Sequence, residues 1–523
     1  MKIRSLLALL LTASVLQGAD YDLLIRNARI VDGTGASWYR GDLAIRGDTI
    51  AAIDRHLGGT ASKTIDAHDR VVAPGFIDLH THARRGIFEV PAADNYIRQG
   101  VTTLFEGPDG SSPIPIREFF ARLEQMKTAP NMASFVGQGS VREKVIGTID
   151  RKATTEEIER MKGIVREEMK DGAFGLSTGL FYVPGTFTPT EEVIALAAVA
   201  GELGGIHISH QRDETRRIRE SVIETIHIGE EGHLPTQATH MKVLGKPNWG
   251  ASVDTLRLVD EARARGVDVT MDQYPYTASS TSLVAALLPS WAQEGGREQM
   301  LARLRDPATR ARIRDVVVDR IEHERGGGDP RNIQFASTSF DPSLAGKTLA
   351  DATRARGLEP TIPNATDTAM ALIEKGMVSA IFHAMAEEDV ERILRHPATM
   401  IASDGEVPLF GKGSPHPRSY GTFVRVLGRY VREKKILTLE EAVRKMTSLP
   451  AARVGLRDRG LLRPGMKADL VIFDPATVAD AATFENPHQY AVGVSHVIVN
   501  GVLVVDDAKV TGARPGRVLR HAM

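Results

Sequence analysis

The sequence predicts an α/β fold: a (β/α)8 TIM-type barrel with a small β-sandwich domain formed from both chain ends. The central part alternates apolar strand-like runs with amphipathic helix-like segments, the pattern of a parallel sheet. Histidine or aspartate follows several of these runs, and the carboxyl ends of barrel strands share one face. We therefore assign residues 73–455 to the barrel, and residues 20–72 with 456–523 to the β-sandwich.

The composition excludes several classes of protein. The 523 residues include 65 Lys and Arg against 66 Asp and Glu, so no charge surplus predicts a nucleic-acid or membrane-surface partner. The chain has no cysteine, which excludes disulfides, thiolate zinc sites, a cysteine nucleophile and a lipid-modified N-terminal cysteine. After the first residues no apolar stretch is long enough for a transmembrane helix, so we expect no membrane anchor. The oligomeric state stays open.

Residues 1–19 have the features of a signal peptide. Lys2 and Arg4 precede an apolar run, Leu6 to Leu16, that is too short to span a bilayer. Small residues for cleavage lie near positions 18–20, although Leu16 and Gln17 occupy places where a small residue is preferred. We predict export, to the periplasm; the alternative is an uncleaved tail.

Both chain ends contain short strand-like runs separated by polar turn residues. In the centre, we predict helices at 154–170, 191–203, 216–230, 253–265, 368–375 and 387–396, and strands at 174–180, 206–210, 234–241, 267–274, 378–383 and 399–403. Thr154 or Thr155 caps the first of these helices. Two unrelated β appendages are the alternative to one β-sandwich.

One segment, residues 283–350, interrupts the alternation. It is long, charged and broken by glycines at 326–328. An insertion at the top of a barrel lies over the active site, so we predict a lid-like subdomain. The alternative is a surface elaboration without a role.

Two histidines end the first apolar run of the barrel. His80 and His82 are two residues apart, so on a strand both imidazoles would share one face. Neutral imidazole is a good ligand for Zn²⁺. A polar strand end explains the pair equally well when it is taken alone. Further ligand-type residues follow later strands, in an order that fits a barrel: Asp109, His210, His240 and Asp404.

The motifs around these residues resemble the D-aminoacylase (N-acyl-D-amino-acid deacylase) family of the amidohydrolase superfamily. The resemblance runs from about Tyr21 to Arg514. It is carried by Pro74-Gly-Phe-Ile-Asp-Leu-His-Thr-His82, Gly175-Leu-Ser-Thr-Gly-Leu-Phe-Tyr-Val-Pro-Gly185, His207-Ile-Ser-His-Gln-Arg-Asp-Glu214, Thr239-His-Met-Lys-Val-Leu-Gly-Lys-Pro-Asn-Trp-Gly250, Asp272-Gln-Tyr-Pro-Tyr-Thr-Ala-Ser-Ser-Thr281, Pro415-His-Pro-Arg418 and Gly465-Met-Lys-Ala-Asp-Leu-Val471.

The resemblance implies roles for the candidate residues. His210 and His240 would bind a tightly held zinc, His80 and His82 would form a second, weaker metal position, and Asp404 would be the catalytic acid/base that also faces the metals. Lys242, Tyr274 and Ser280 would hold the α-carboxylate of the substrate. Arg212, two residues after His210, is a further candidate for that carboxylate.

Asp109 departs from the family pattern, which usually has a cysteine at this place. A carboxylate can bind zinc and bridge two ions, and it makes the site more tolerant of Mn²⁺ or Co²⁺. Asp109 could instead cap its own turn after Pro108. Glu106, three residues earlier, is a weaker candidate for the same ligand role.

These features predict a zinc-dependent amidohydrolase that acts on linear amide C–N bonds, cleaving N-acyl-D-amino acids to a carboxylate and a free D-amino acid. The D-preference comes from the resemblance alone. A dipeptidase or a cyclic-amide hydrolase of the hydantoinase and dihydroorotase type would use the same metal chemistry. A barrel that has lost catalysis and serves as a binding protein is a third alternative, and only the change to Asp109 favours it.

Overall fold

The computed structural model describes residues 19–522, and the signal peptide predicted for residues 1–19 lies almost wholly outside this range. Among the described residues, no helix combines the length and the apolar character needed to cross a bilayer.

Strands from both chain ends form one sheet. Within residues 19–522 it has nine strands: Tyr21–Ile30, Tyr39–Arg46, Thr49–Asp54, Ala61–Asp66, Val71–Pro74, Leu470–Phe473, Val494–Val499, Val502–Asp506 and Lys509–Val510. The two ends meet where Leu470–Phe473 runs antiparallel to Val71–Pro74. Buried residues from both ends, among them Ile25, Leu43 and Ile472, share one apolar core. Burial of this core joins the two ends of the chain into one unit.

The central part forms the parallel barrel that the alternation predicts. Its strands follow one another in the order Phe76–Asp78, Val101–Glu106, Asn131–Ser134 continued by Val136–Gly137, Gly175–Gly179, Ile206–His210, Thr236–Ala238, Val269–Gln273 and Thr399–Ile401. Gly405–Glu406 pairs in parallel with Thr81–His82, which brings the last strand back to the first. All these pairings are parallel, as expected for a (β/α)8 barrel.

Helices connect the barrel strands or follow the last of them. They span Asp94–Ile97, Ile116–Met126, Gln138–Ile146, Thr155–Lys170, Thr190–Glu202, Ile218–Glu231, Ser252–Ala264, Glu387–Arg395, Arg418–Arg425, Leu439–Met446 and Ser448–Arg453, with a π-helical stretch at Val426–Glu433 and 3-10 turns at Gly185–Phe187 and Lys246–Asn248. Thr154 caps Thr155–Lys170 in a capping box with Glu157, in agreement with the sequence.

The inserted unit is larger than the predicted segment 283–350. Val378–Phe382, expected to be a barrel strand, pairs antiparallel with Ser279–Ser282 and Ile333–Thr338. Helices Leu283–Leu287, Ser290–Gln293, Arg297–Arg305, Pro307–His323, Leu349–Ala355 and Ile362–Lys375, with 3-10 turns Pro330–Asn332 and Pro342–Leu344, complete the unit. Its buried residues form a separate core that includes Leu283 and Phe382. A short apolar run does not reveal which strand it will pair with, and this explains the error.

Candidate metal centre and substrate cavity

The predicted ligands meet at the carboxyl ends of the barrel strands. His80 and His82 follow the first strand, and Asp109 follows the second. His210 ends Ile206–His210, His240 lies two residues after Thr236–Ala238, and Asp404 follows Thr399–Ile401. Parallel strands deliver all six side chains to one face of the barrel.

The six residues form two groups whose potential ligand atoms lie within 4.8 Å of one another. His80, His82, Asp109 and Asp404 make one group, and Asp109, His210 and His240 make the other. Asp109 is common to both. A carboxylate with two oxygens is suited to this shared position because each oxygen can serve a different ion.

The group with His210 and His240 is the more compact. His240 Nε2 lies 2.7 Å from His210 Nδ1, and the two nitrogens are 3.4 and 3.6 Å from Asp109 Oδ1. His210 and His240 are nearly inaccessible to solvent, and the Asp109 side chain is 8% exposed. Two imidazoles and a carboxylate oxygen that converge in a buried place are a suitable ligand set for zinc.

In the other group, His82 Nε2 is 3.3 Å from Asp109 Oδ2 and 3.1 Å from Asp404 Oδ1. His80 Nε2 is 3.3 Å from Asp109 Oδ1 and 3.5 Å from Asp404 Oδ1. His82 is the most accessible of the four side chains, at 13%. Within this group His82 is therefore the ligand candidate most open to solvent, while His80 is fully buried.

The polar atoms in this centre fit a metal ion. His80 Nε2 and Asp109 Oδ1 are buried and make no hydrogen bond with any described residue. Buried polar atoms without a partner are costly, so an arrangement that aims several of them at one place requires an explanation. A coordinated cation supplies one, and the histidine and carboxylate donors match zinc.

Three residues of the centre have left-handed backbone conformations, with φ of 56° at Asp109, 35° at His240 and 51° at Asp404. Residues other than glycine rarely adopt such angles, and the strain is tolerated where surrounding structure imposes it. The turns aim these side chains at the centre. The directions of these three side chains therefore come from the turns, and the alternation of side chains along a strand does not explain them.

Asp109 does not cap its own turn in the described structure. The turn is held by Ser177, whose Oγ accepts a hydrogen bond from Gly110 N at 3.2 Å. Glu106, the weaker candidate, belongs to neither group, and its Oε2 accepts a hydrogen bond from Arg84 N at 2.8 Å. The geometry thus favours Asp109 over Glu106 as the ligand.

Charged neighbours keep both aspartates ionised. Burial by itself would raise the pKa of Asp404, but Arg418, with Nη1 2.8 Å from Asp404 Oδ2, and the nearby imidazoles lower it below its ordinary value. For Asp109, burial is likewise outweighed by His80 and His240, which lower the pKa well below its usual range. Both side chains are carboxylates at neutral pH.

A cavity of about 870 Å³ opens beside the two groups. The three residues predicted to hold the α-carboxylate, Lys242, Tyr274 and Ser280, all line it. The inserted unit contributes one wall, with residues that include Ser337, Ser339 and Met377. The cavity volume is in the range of small-molecule sites.

Arg212 does not line this cavity, and its predicted role has to be corrected. Its guanidinium forms two hydrogen bonds with Glu224, at 2.9 and 2.7 Å, and others with the carbonyl oxygens of Thr186 and Thr188. The strand ends at His210, so the rule that residues two apart share a face does not extend to Arg212.

Four further charged residues surround the centre, and the sequence assigned no role to them. Glu214 contacts Lys242 and both His210 and His240. Asp272 Oδ1 accepts a hydrogen bond from His240 N at 2.7 Å, and Arg418 contacts Asp404. Glu214, Asp272 and Arg418 lie inside the motifs that carry the family resemblance, so their place in these motifs could have marked them as site residues. Arg325, from the inserted unit, lies in none of them.

Comparison with known proteins identifies the family. A family model described as amidohydrolase family matches residues 63–505. D-aminoacylase of Alcaligenes xylosoxydans xylosoxydans is 38% identical, over 95% of this chain and 97% of the relative. N-acyl-D-glutamate deacylase of the same organism is 35% identical, over 96% of each chain.

A solved structure agrees with these relatives. N-acyl-D-glutamate deacylase from Bordetella bronchiseptica, complexed with zinc and a phosphonate inhibitor that mimics the tetrahedral intermediate of its reaction, matches with a TM-score of 0.82 and 35% identity, over 96% of this chain and 99% of that one. The family model covers most of the chain and the relatives align along nearly all of it, so this protein belongs to the amidohydrolase family.

Proposed function

We propose that this protein is a zinc-dependent amidohydrolase that cleaves N-acyl-D-amino acids to a carboxylate and a free D-amino acid. The observation that carries the proposal is the cavity in which both ligand groups lie beside Lys242 and Tyr274. The activities named for the relatives support the substrate class and its D-configuration. A barrel without catalysis would not need to retain all six ligand-type residues, Asp404 among them.

His210, His240 and Asp109 would hold a tightly bound zinc, and His80 and His82, again with Asp109, would hold a second, weaker ion. When bound, zinc lowers the pKa of a coordinated water to about 7 and polarises a carbonyl group. The extra carboxylate at Asp109 makes Mn²⁺ or Co²⁺ acceptable as well.

Asp404 would move the proton. Its Oδ1 faces His80 and His82, while Arg418 holds Oδ2. The ionised carboxylate accepts a proton at Oδ1 from the attacking water and delivers it to the departing nitrogen. Arg418 fixes the orientation in which Oδ1 faces the reacting atoms.

Lys242, Tyr274 and Ser280 would hold the free carboxylate of the substrate. Lys242 Nζ now contacts Glu214 Oε1 and lies 5.5 Å from the centre of the Tyr274 ring. The Tyr274 hydroxyl is buried and has no hydrogen-bond partner among the described residues, so it is free to donate to an incoming carboxylate.

A panel of substrates tests this proposal. The zinc-loaded protein should hydrolyse N-acetyl-D-amino acids and leave the L-enantiomers essentially untouched. Removal of the metal by a chelator should abolish the activity, and zinc should restore it. Preferential hydrolysis of dipeptides or of hydantoins would identify the alternatives with the same metal chemistry and overturn the assignment.

We also propose that residues 1–19 direct export to the periplasm. The basic residues followed by a short apolar run support this proposal. Mass spectrometry of protein from the periplasmic fraction should find a new N-terminus near residues 18–20. Intact protein confined to the cytoplasm would contradict it.

A further inference from the structure

Glu214 lies behind the two histidines of the compact ligand group. Its Oε1 is 3.2 Å from His240 Nδ1, and its Oε2 is 3.7 Å from His210 Nε2. The other nitrogens of these rings, His240 Nε2 and His210 Nδ1, face Asp109. One buried carboxylate therefore faces the outer nitrogens of both rings, while the inner nitrogens converge on the metal position.

A metal bound at the inner nitrogen of His240 would change the hydrogen bonds that its outer nitrogen can make. Lys242 Nζ lies 2.6 Å from His240 Nδ1 and can donate to it only while the ring proton is on Nε2. Metal binding requires a bare Nε2, so the proton must move to Nδ1. The acceptor then within reach is Glu214 Oε1, 3.2 Å away, while Lys242 Nζ can still donate to Glu214 Oε1 and to the carbonyl oxygen of His240. The same carboxylate thus selects the ring form that binds a metal.

Glu214 needs a permanent cationic partner because it is fully buried. Lys242 Nζ is 2.5 Å from Glu214 Oε1, but the proposed reaction calls on this ammonium to bind the substrate carboxylate. A buried carboxylate that loses its counter-charge is strongly destabilised. Arg325 Nη2, 3.3 Å from Glu214 Oε2, supplies a second cation.

Arg325 reaches this position from the inserted unit. It follows helix Pro307–His323, it is 3% exposed, and its guanidinium lies 4.7 Å from the centre of the Phe181 ring. Phe181 in turn stacks on the His210 ring, with centroids 5.6 Å apart. Through Arg325, the inserted unit therefore contacts Glu214 and Phe181, the residues that lie behind the two histidines, and it also lines the cavity.

We propose that Glu214 is the positioning residue of the His210/His240 metal position and that Arg325 holds Glu214 in place, so that the inserted unit takes part in metal retention. This role concerns metal binding in the absence of substrate. Its test is therefore independent of whether the proposed N-acyl-D-amino acids are the substrates.

The test is zinc affinity, measured on dialysed full-length protein by competition with a chromogenic chelator. Outer partners of zinc-binding histidines typically contribute about 10–100-fold to metal affinity. We expect Glu214→Gln and Arg325→Met each to weaken zinc binding by about that factor. Arg325→Lys keeps the charge and should recover most of the affinity.

Arg320→Met is the matched control. Arg320 also belongs to the inserted unit, and its Nη1 donates to Ala286 O and Leu288 O, at 3.2 and 2.9 Å, within that unit. Arg320 Nε also lies 4.0 Å from Glu324 Oε2, next to Arg325 in the sequence, but neither Arg320 nor Glu324 contacts Glu214. Zinc affinity should therefore stay at the wild-type value in Arg320→Met. An equal loss in Arg320→Met would overturn the proposal by showing a general effect of the insert.

The proposal also fails if Arg325→Met and Glu214→Gln bind zinc as the wild type does. Circular dichroism and the melting temperature of the metal-free variants report whether each one is folded. If Arg325→Met does not fold, Glu214→Gln, which preserves side-chain volume, decides the role of Glu214, and Arg325→Lys against Arg325→Gln decides that of Arg325.

Discussion

Arg418 Nη1 lies 2.8 Å from Asp404 Oδ2, and the other oxygen of the same carboxylate lies 3.1 Å from His82 Nε2. Both side chains are buried, so the contact is shielded from solvent. The guanidinium fixes which oxygen faces the ligand group. We infer that Arg418 orients the proposed acid/base.

Arg418→Met should lower kcat because Asp404 loses the contact that fixes its orientation. A misplacement of about 1 Å in a catalytic group can cost about 10²-fold in rate. Zinc content should be unchanged, since Arg418 contacts no histidine of the centre. Arg418→Lys is the control that restores a charge without the planar fork. Wild-type kcat in Arg418→Met would contradict the orienting role.

Asp404→Asn should fold but lose nearly all turnover. The amide cannot accept the proton that the carboxylate accepts, and general acid–base groups typically contribute about 10²–10⁴-fold. The compact group of His210, His240 and Asp109 does not include Asp404, so tightly bound zinc should remain. Steady-state kinetics and metal analysis of the purified variant check both points. Retention of more than about a tenth of the wild-type kcat would exclude the acid/base role.

Lys242→Met should act on binding more than on chemistry. The ammonium is expected to pair with the substrate carboxylate, so KM for N-acyl-D-amino acids should rise. Amides or esters of the same substrates carry no negative charge and should be affected much less. Paired measurements on the acid and its amide separate the two cases, and equal losses on both would remove the carboxylate-binding role.

The ligands could be found from the sequence because their chemistry and their position coincide. His80, His210 and Asp404 each come at or just after an apolar run, where a barrel presents its functional side chains. The side-chain directions were harder to predict. Lys242 lines the cavity, yet it follows a strand that ends at Ala238, so a shared strand face is not the reason.

Contacts between distant parts of the chain were not accessible from the sequence. Arg325 and Glu214 are 111 positions apart, and no local pattern relates them. The same limit applies to the strand Val378–Phe382, which has an ordinary apolar pattern but pairs within the insert. The role predicted for Arg212 was wrong for a local reason. The rule that alternate residues of a strand share a face was applied to a residue two positions beyond the end of the strand.

Asp109 is the residue on which the ligand set departs from the family pattern, and its substitution gives the sharpest test of the metal centre. Its Oδ1 lies 3.3–3.6 Å from His80, His210 and His240, and its Oδ2 lies 3.3 Å from His82. Asp109→Ala removes the group common to both metal positions. Zinc affinity and activity should therefore fall together.

Asp109→Cys, in contrast to Asp109→Ala, should bind zinc tightly. Cysteine is the residue usual in the family at this place, and its thiolate is a strong zinc ligand. It serves as the matched control, since it occupies the same turn with the same left-handed backbone. If Asp109 only stabilised the turn, Asp109→Ala would lower the melting temperature while the zinc content after dialysis stayed at the wild-type value. Zinc per chain in dialysed Asp109→Ala thus decides the question, and full retention would exclude Asp109 as a ligand.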